Sequence, residues 1–184
     1  MSLKFDESYF TTNENGMRKY KNFPHFKDRA LWIKDNLSGG ILEIGCAYGF
    51  LIEELNKLGI MIGGIDISEY AISQANTSIK DQVKVSSASV IINYYDWIIS
   101  WNVLDCLQSD EHAFQIAQSL NSHAKNQLHI LCMSGKDYIK QGYFVRDYSY
   151  WRKLLPNAHL ICYKCGTNYS DLFSKVPLSG KVSQ

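Results

Sequence analysis

The chain has 184 residues, 46% of them hydrophobic and 20% charged, a size and composition that suit one compact domain and leave little room for a second. Its 19 basic and 18 acidic residues are scattered and sum to a formal net charge of +1, so they offer no broad footprint for nucleic acid or anionic lipid. The longest apolar run, Val90 to Leu107, is broken by Asn93, Asp96, Asn102 and Asp105, and reads as a buried strand and its following loop rather than a membrane span.

Residues 1–25 hold Phe5, Tyr9, Phe10, Tyr20 and Phe23 among charged and turn-forming residues without clear period. This segment fits either a lid over a site or an arm that packs its aromatics against the domain, which spans 26–184. Phe26 to Leu37 places Ala30, Ile33 and Leu37 on one helical face, and Gly39-Gly40 stops that helix. From there strand-like runs alternate with helical periods. The runs are Ile41 to Ile44, Met61 to Ile67, Val83 to Ser86, Trp97 to Trp101 and Gln127 to Met133; helices are predicted over Phe50 to Leu58, Glu69 to Ile79 and Asp110 to Ala124. This alternation predicts an α/β domain with a parallel sheet covered by helices. Farther on, Tyr148 to Leu155 reads as a helix ended by Pro156, His159 to Tyr163 as a strand, and Leu172 to Val176 as another.

Cysteine usage points to a reducing compartment. Five cysteines make an odd number, most lie in apolar runs, and no secretory signal is read before Lys4, so the expectation is a cytoplasmic protein. Cys162-Tyr-Lys-Cys165 has the gap of a metal or redox pair, but no second pair accompanies it and its flanks read as strand; no metal is expected.

The chemistry is carried by Ile41-Leu-Glu-Ile-Gly-Cys-Ala-Tyr-Gly-Phe50, an apolar strand that breaks into a loop at Gly45 and re-enters a helix after Gly49. Glycines let a ligand lie against the main chain, and a helix start offers unpaired amides to an anionic group. Dinucleotide loops want glycine at the first, third and sixth positions; Ala47 and Phe50 hold the third and sixth here, which disfavours a nicotinamide or flavin oxidoreductase. Glu43 stands at the strand's end, where it can balance a ligand cation, and Asp66 ends the next strand, where its carboxylate can accept two bonds from a ribose diol. An adenosine ligand with an amino-acid tail suits both acids.

Over Phe26 to Met133 the sequence resembles the class I S-adenosylmethionine-dependent methyltransferases. The resemblance implies a Rossmann-like, doubly wound, mostly parallel sheet with helices on both faces, and S-adenosyl-L-methionine as cofactor. It implies that Gly45, Cys46, Ala47 and Gly49 hold the methionyl part with Glu43 in support, that Asp66 binds the ribose, and that Ile67 packs on adenine. Ser87 and Ala88 stand where relatives carry an acid and a small residue near the adenine amine. Ser100, Trp101 and Asn102 would line the junction of cofactor and acceptor, with Asn102 orienting the acceptor. Asp105 and Cys106 stand where many relatives carry an acid and a histidine, so the histidine base is missing; a sulfonium is already activated, and alignment supplies much of the rate. The implied activity is methyl transfer to a small-molecule acceptor. The alternative is a catalytically idle module that senses the cofactor or supports a partner subunit, and methyl transfer from labelled cofactor separates the two. No feature of the sequence sets an oligomeric state.

Overall fold

The computed structural model describes residues 4–11, 25–132 and 142–163. In chain order these form α1 (Glu7–Thr11), α2 (Phe26–Asn36), β1 (Ile41–Ile44), α3 (Phe50–Lys57), β2 (Gly63–Asp66), α4 (Glu69–Ser73), β3 (Val83–Val85), β4 (Tyr95–Trp101), α5 (Asp110–His123), β5 (Ala124–Cys132), α6 (Tyr148–Leu154) and β6 (His159–Tyr163). The helix starts are written in short polar side chains. Ser68, Ser109 and Asp147 each accept from a backbone N–H of the first turn they precede, and Asp110 and Glu111 place negative charge at the positive end of α5.

The six strands pair in the order β3-β2-β1-β4-β5-β6, every described pairing parallel. Successive side chains alternate between faces, so the central strands β1, β4 and β5 feed two cores. One packs Ile41, Ile99, Leu128 and Ile130 against Phe26, Ala30 and Ile33 of α2 and Leu51, Ile52 and Leu55 of α3. The other packs Leu42, Ile44, Ile98 and Leu131 against Ala113, Ile116, Ala117 and Leu120 of α5 and Trp151 of α6. The chain order reverses between β1 and β4, and the carboxyl ends of strands at such a switch point frame the crevice in which ligands usually bind.

The expected doubly wound α/β fold is therefore present, with local differences. The helix expected over Glu69 to Ile79 ends at Ser73, and a 3₁₀ turn follows over Thr77–Gln82. Asn76 caps that turn by accepting from Ser78 N–H, and Lys80 Nζ donates to the carbonyls of Ile72 and Ser73 that continued helix would have used. β2 begins at Gly63 rather than Met61, because β1 starts its pairing at the Leu42↔Gly63 step and leaves Met61 exposed. The strand expected near Leu172 to Val176, and Cys165, lie outside the described residues.

Candidate functional site

The crevice is built by the loop after β1. Gly45 and Cys46 both donate their N–H groups to the Ile65 carbonyl, at 2.7 and 3.1 Å, which folds the turn onto β2. Gly45 has φ +68°, and a Cβ there would collide with Val103 from the loop after β4; Gly49 has φ +76° at the start of α3, with Ile79 against it. Between them Ala47 holds φ +48°. The loop thus keeps a left-handed residue at its third position, at a steric cost of about 1–2 kcal/mol to alanine.

What holds Ala47 there is Asp66. Its Oδ2 accepts the Ala47 N–H and its Oδ1 the Ser68 N–H, each at 2.8 Å, and its own carbonyl accepts Ser86 N–H at 2.9 Å. One residue thus ties the first loop to the ends of β2 and β3. Burial raises its carboxyl pKa, opposed by the amides of Ser68, Ala47 and Ile67. A carboxylate offers about four lone-pair directions, so these amides leave room for a further donor such as a ribose hydroxyl. Beside it Ile67 is 51% exposed, an apolar side chain facing outward at the crevice end of β2. After β3, Ser87 spends its hydroxyl on Ser89, accepting from its N–H at 3.2 Å and bonding its Oγ at 2.8 Å, while Ala88 is buried against the α5 core.

Glu43 lies on the α2 face of the sheet at 5% exposure, and its Oε2 has no hydrogen-bond partner among the described residues. Burial pushes its carboxyl up to about 8, with the Arg29 guanidinium pulling down and Asp66 adding to the rise. Arg29 is itself buried, its guanidinium 5.2 Å from both the Phe26 and Trp101 rings. Sequence reasoning passed over Arg29, although the signal was there: it lies inside the stripe of Phe26, Ala30 and Ile33, where a solvated arginine has no place.

Asn102 ends β4 at φ +54°, its N–H donated to Ile130 O at 2.8 Å and its carbonyl accepting from Cys106 Sγ at 3.2 Å. Ser100 goes elsewhere. Register pairs it with His129, on the face opposite Glu43, and its Oγ meets His129 Nδ1 at 2.8 Å. The chain continues from His129 Nε2 to Gln127 Oε1 (3.1 Å), from Gln127 Nε2 to Asn121 Oδ1 (3.1 Å), and from Asn121 Nδ2 to Leu154 O (2.9 Å). Since the Gln127 amide nitrogen serves Asn121, its oxygen accepts from His129 Nε2–H, and Nδ1 accepts the Ser100 proton. Burial holds the His129 pKa down at about 3, so the ring is neutral.

The N-terminal aromatics dock at this same end of the sheet. Phe10 packs on Tyr48 (ring centroids 5.3 Å) and Tyr70 (6.2 Å), Tyr9 and Phe10 share a buried cluster with Ala47 and Ala71, and Ser68 Oγ donates to the Phe5 carbonyl. The Tyr9 hydroxyl bonds with Tyr143 and Cys106, and burial raises its pKa so that it stays protonated. The structure thus places the Gly45 to Gly49 loop, Asp66, Ile67 and Asn102 at the carboxyl ends of β1, β2 and β4, with Glu43 in β1 and α1 packed on Ala47, Tyr48 and Tyr70, and it turns the Ser100 side chain to the opposite face. Among the described residues no cluster of three His, Cys, Asp or Glu has metal-site geometry, and no helix is long and apolar enough to cross a membrane.

Comparison with known proteins bears on the family and the fold. A family model described as a methyltransferase domain matches residues 17–176. Magnesium protoporphyrin IX methyltransferase from Synechocystis PCC 6803, with bound SAM, superposes with TM-score 0.57 at 21% identity over 81% of each chain. A structure from work on conversion of a disulfide bond into a thioacetal group during echinomycin biosynthesis gives TM-score 0.55 at 20% identity, over 72% of this chain and 66% of that one. The CcbJ methyltransferase from Streptomyces caelestis gives TM-score 0.48 at 17% identity over 55% of this chain. This chain spans only 45% of that enzyme's length, and just under two thirds of the echinomycin-related one. No curated protein matches this sequence.

Proposed function

The chain belongs to the methyltransferase-domain family, and from that premise we propose that it transfers a methyl group from S-adenosylmethionine to a small-molecule acceptor. The observation that carries this reading is the buried Glu43 carboxyl with an unpartnered Oε2 at the head of a glycine-bounded loop. A buried acid without a partner is costly unless a ligand completes it, and a cationic amino-acid tail does so. The Asp66 carboxylate at the end of β2 suits a ribose hydroxyl, and exposed Ile67 beside it suits an adenine face. The donor set fits the cofactor, which when bound supplies a sulfonium-activated methyl group.

In this reading Glu43 takes the ammonium, Asp66 the ribose, and α1 excludes water from the crevice through Tyr9 and Phe10. Asn102 projects from the end of β4 and orients the acceptor. Both the missing histidine and the neutral, buried His129 argue that proton transfer is not the main contribution of this protein; alignment is. A small acceptor is supported by the balanced charge of the chain and by the magnesium protoporphyrin IX and echinomycin systems of its structural neighbours.

The test is transfer of labelled methyl from S-adenosylmethionine into the small-molecule fraction of a cell extract, run beside calorimetry with S-adenosylhomocysteine. Label in small molecules together with calorimetric binding supports the proposal; binding without transfer converts it to the idle module. Because Asn102 has φ +54°, the informative replacement is Asn102→Gly, which removes the amide without straining the backbone. It should slow transfer at least tenfold, by loss of an orienting contact, and leave cofactor affinity unchanged.

A further inference from the structure

Three separate segments of the chain meet through hydrogen bonds beside the turn that follows β4. Tyr9 comes from α1, Cys106 from the turn itself and Tyr143 from the segment leading into α6, and all three belong to one cluster with Phe10, Tyr48 and Tyr70. The turn is closed by the Cys106 N–H, which donates to the Val103 carbonyl at 3.0 Å. The single thiol proton of Cys106 goes to the Asn102 carbonyl at 3.2 Å. The Tyr9 hydroxyl, which hydrogen-bonds both Cys106 and Tyr143, therefore donates to the sulfur, and Tyr143 donates to Tyr9. Three donors thus run one way and end on the main chain of Asn102. That residue sits at φ +54°, and a left-handed side-chain-bearing residue persists where its surroundings hold it. Two sides of the turn are held by the domain. Val103 fills the space where a Cβ on Gly45 would stand, and the Phe144 N–H donates to the Asp105 carbonyl at 2.7 Å. The Phe144 segment is pinned in turn by Arg146, which meets both carboxylate oxygens of Asp110 at 3.1 and 3.2 Å. The third side is closed by α1, through the Tyr9 hydroxyl.

Resting on the methyl-transfer reading above, we propose that Tyr9 is a positioning residue for the acceptor: when α1 docks, its hydroxyl acts through the Cys106 thiol to fix the Asn102 backbone and so aims the Asn102 amide. Closure over the cofactor and alignment of the acceptor are then one event. The Tyr9 ring excludes water, and its hydroxyl sets geometry. Cys106, standing where many relatives carry a histidine, passes on a hydrogen bond and need not titrate.

The experiment measures transfer of labelled methyl into the small-molecule fraction of a cell extract, with calorimetry of S-adenosylhomocysteine on every variant. Tyr9→Phe keeps the ring and should slow transfer about two- to tenfold, the worth of one hydrogen bond, with cofactor affinity unchanged. Cys106→Ala should match it, and Cys106→Ser, which restores a donor and an acceptor, should recover most of that loss. On an Asn102→Gly background, where no amide is left to aim, Tyr9→Phe should cost nothing further. An additive loss on that background assigns the Tyr9 hydroxyl to something other than Asn102 and overturns the proposal. Equal losses in Cys106→Ala and Cys106→Ser also overturn it, by assigning Cys106 to packing, and they decide the matter even if Tyr9→Phe fails to fold. Undiminished transfer by Tyr9→Phe does the same. A wild type that binds S-adenosylhomocysteine but transfers no label brings down the transfer reading itself, and the proposal with it.

Discussion

Two buried polar groups flank the central strands, one on each face of the sheet, and they are finished differently. On the α5 face, Ser100, His129, Gln127 and Asn121 hand hydrogen bonds along a closed chain from β4 to the end of α6. On the α2 face, Glu43 Oε2 and Trp101 Nε1 find no partner among the described residues. Buried polar atoms in folded proteins are nearly all satisfied, so the closed chain reads as architecture and the open one as a place kept for a ligand. The contrast also accounts for Ser100, which stands near the end of β4 but spends its hydroxyl on His129.

Breaking the closed chain should produce the largest change. His129→Leu leaves the Ser100 hydroxyl and the Gln127 carbonyl oxygen without partners, and should cost about 2–4 kcal/mol of folding stability in urea unfolding. Its affinity for S-adenosylhomocysteine should barely move. A variant as stable as the wild type would show that the chain is ornamental.

The open side should respond in the opposite sense. Glu43→Gln removes a charge-compatible partner and should weaken S-adenosylhomocysteine by about ten- to a hundredfold, with no loss of stability. The acid also makes the comparison sensitive to pH. Its pKa rises from 4.5 to about 8 on folding, so the folded state holds the proton more tightly than the unfolded one. Stability of the ligand-free protein should accordingly fall as pH climbs through that window, seen as a melting temperature lower at about pH 8.5 than at about pH 6. Ligand affinity should climb over the same range, since the ammonium prefers the carboxylate. Both slopes should flatten in Glu43→Gln, and persistence of either in that variant would trace it to another group.

The smallest effect belongs to the loop that joins the two sides. Ala47→Gly removes left-handed strain but adds unfolded-state freedom, so a net gain of at most about 1 kcal/mol is expected. A loss in chemical denaturation would mean that the alanine methyl, buried against Tyr9 and Phe10, matters more than its backbone angle.

Most of the fold was legible because alternating periods survive translation into structure. The runs at Ile41, Val83 and His159 and the helices at Phe50, Asp110 and Tyr148 fall within a few residues of their observed ends. Where the reading strayed, a side chain competed locally with the backbone, as Asn76 does beyond α4. The cofactor loop could be read because glycine and acid positions are one-dimensional facts. Arg29, His129 and the docking of α1 are facts about faces that meet only after folding, and their partners lie across strands or helices rather than nearby in sequence.

α1 is a helix of five residues. Helices that short do not persist alone in water, where even ~12–15 residues are marginal, so its order depends on packing against Tyr48 and Tyr70 and on bonds to Ser68, Tyr143 and Cys106, beside the local bonds to Asp6. Its backbone amides therefore exchange with solvent deuterium at the rate at which that contact opens. On the proposal that α1 covers the bound cofactor, S-adenosylhomocysteine is expected to slow deuterium uptake in residues 7–11, which a mass spectrometer reads without any knowledge of the acceptor; unchanged uptake would remove α1 from the site.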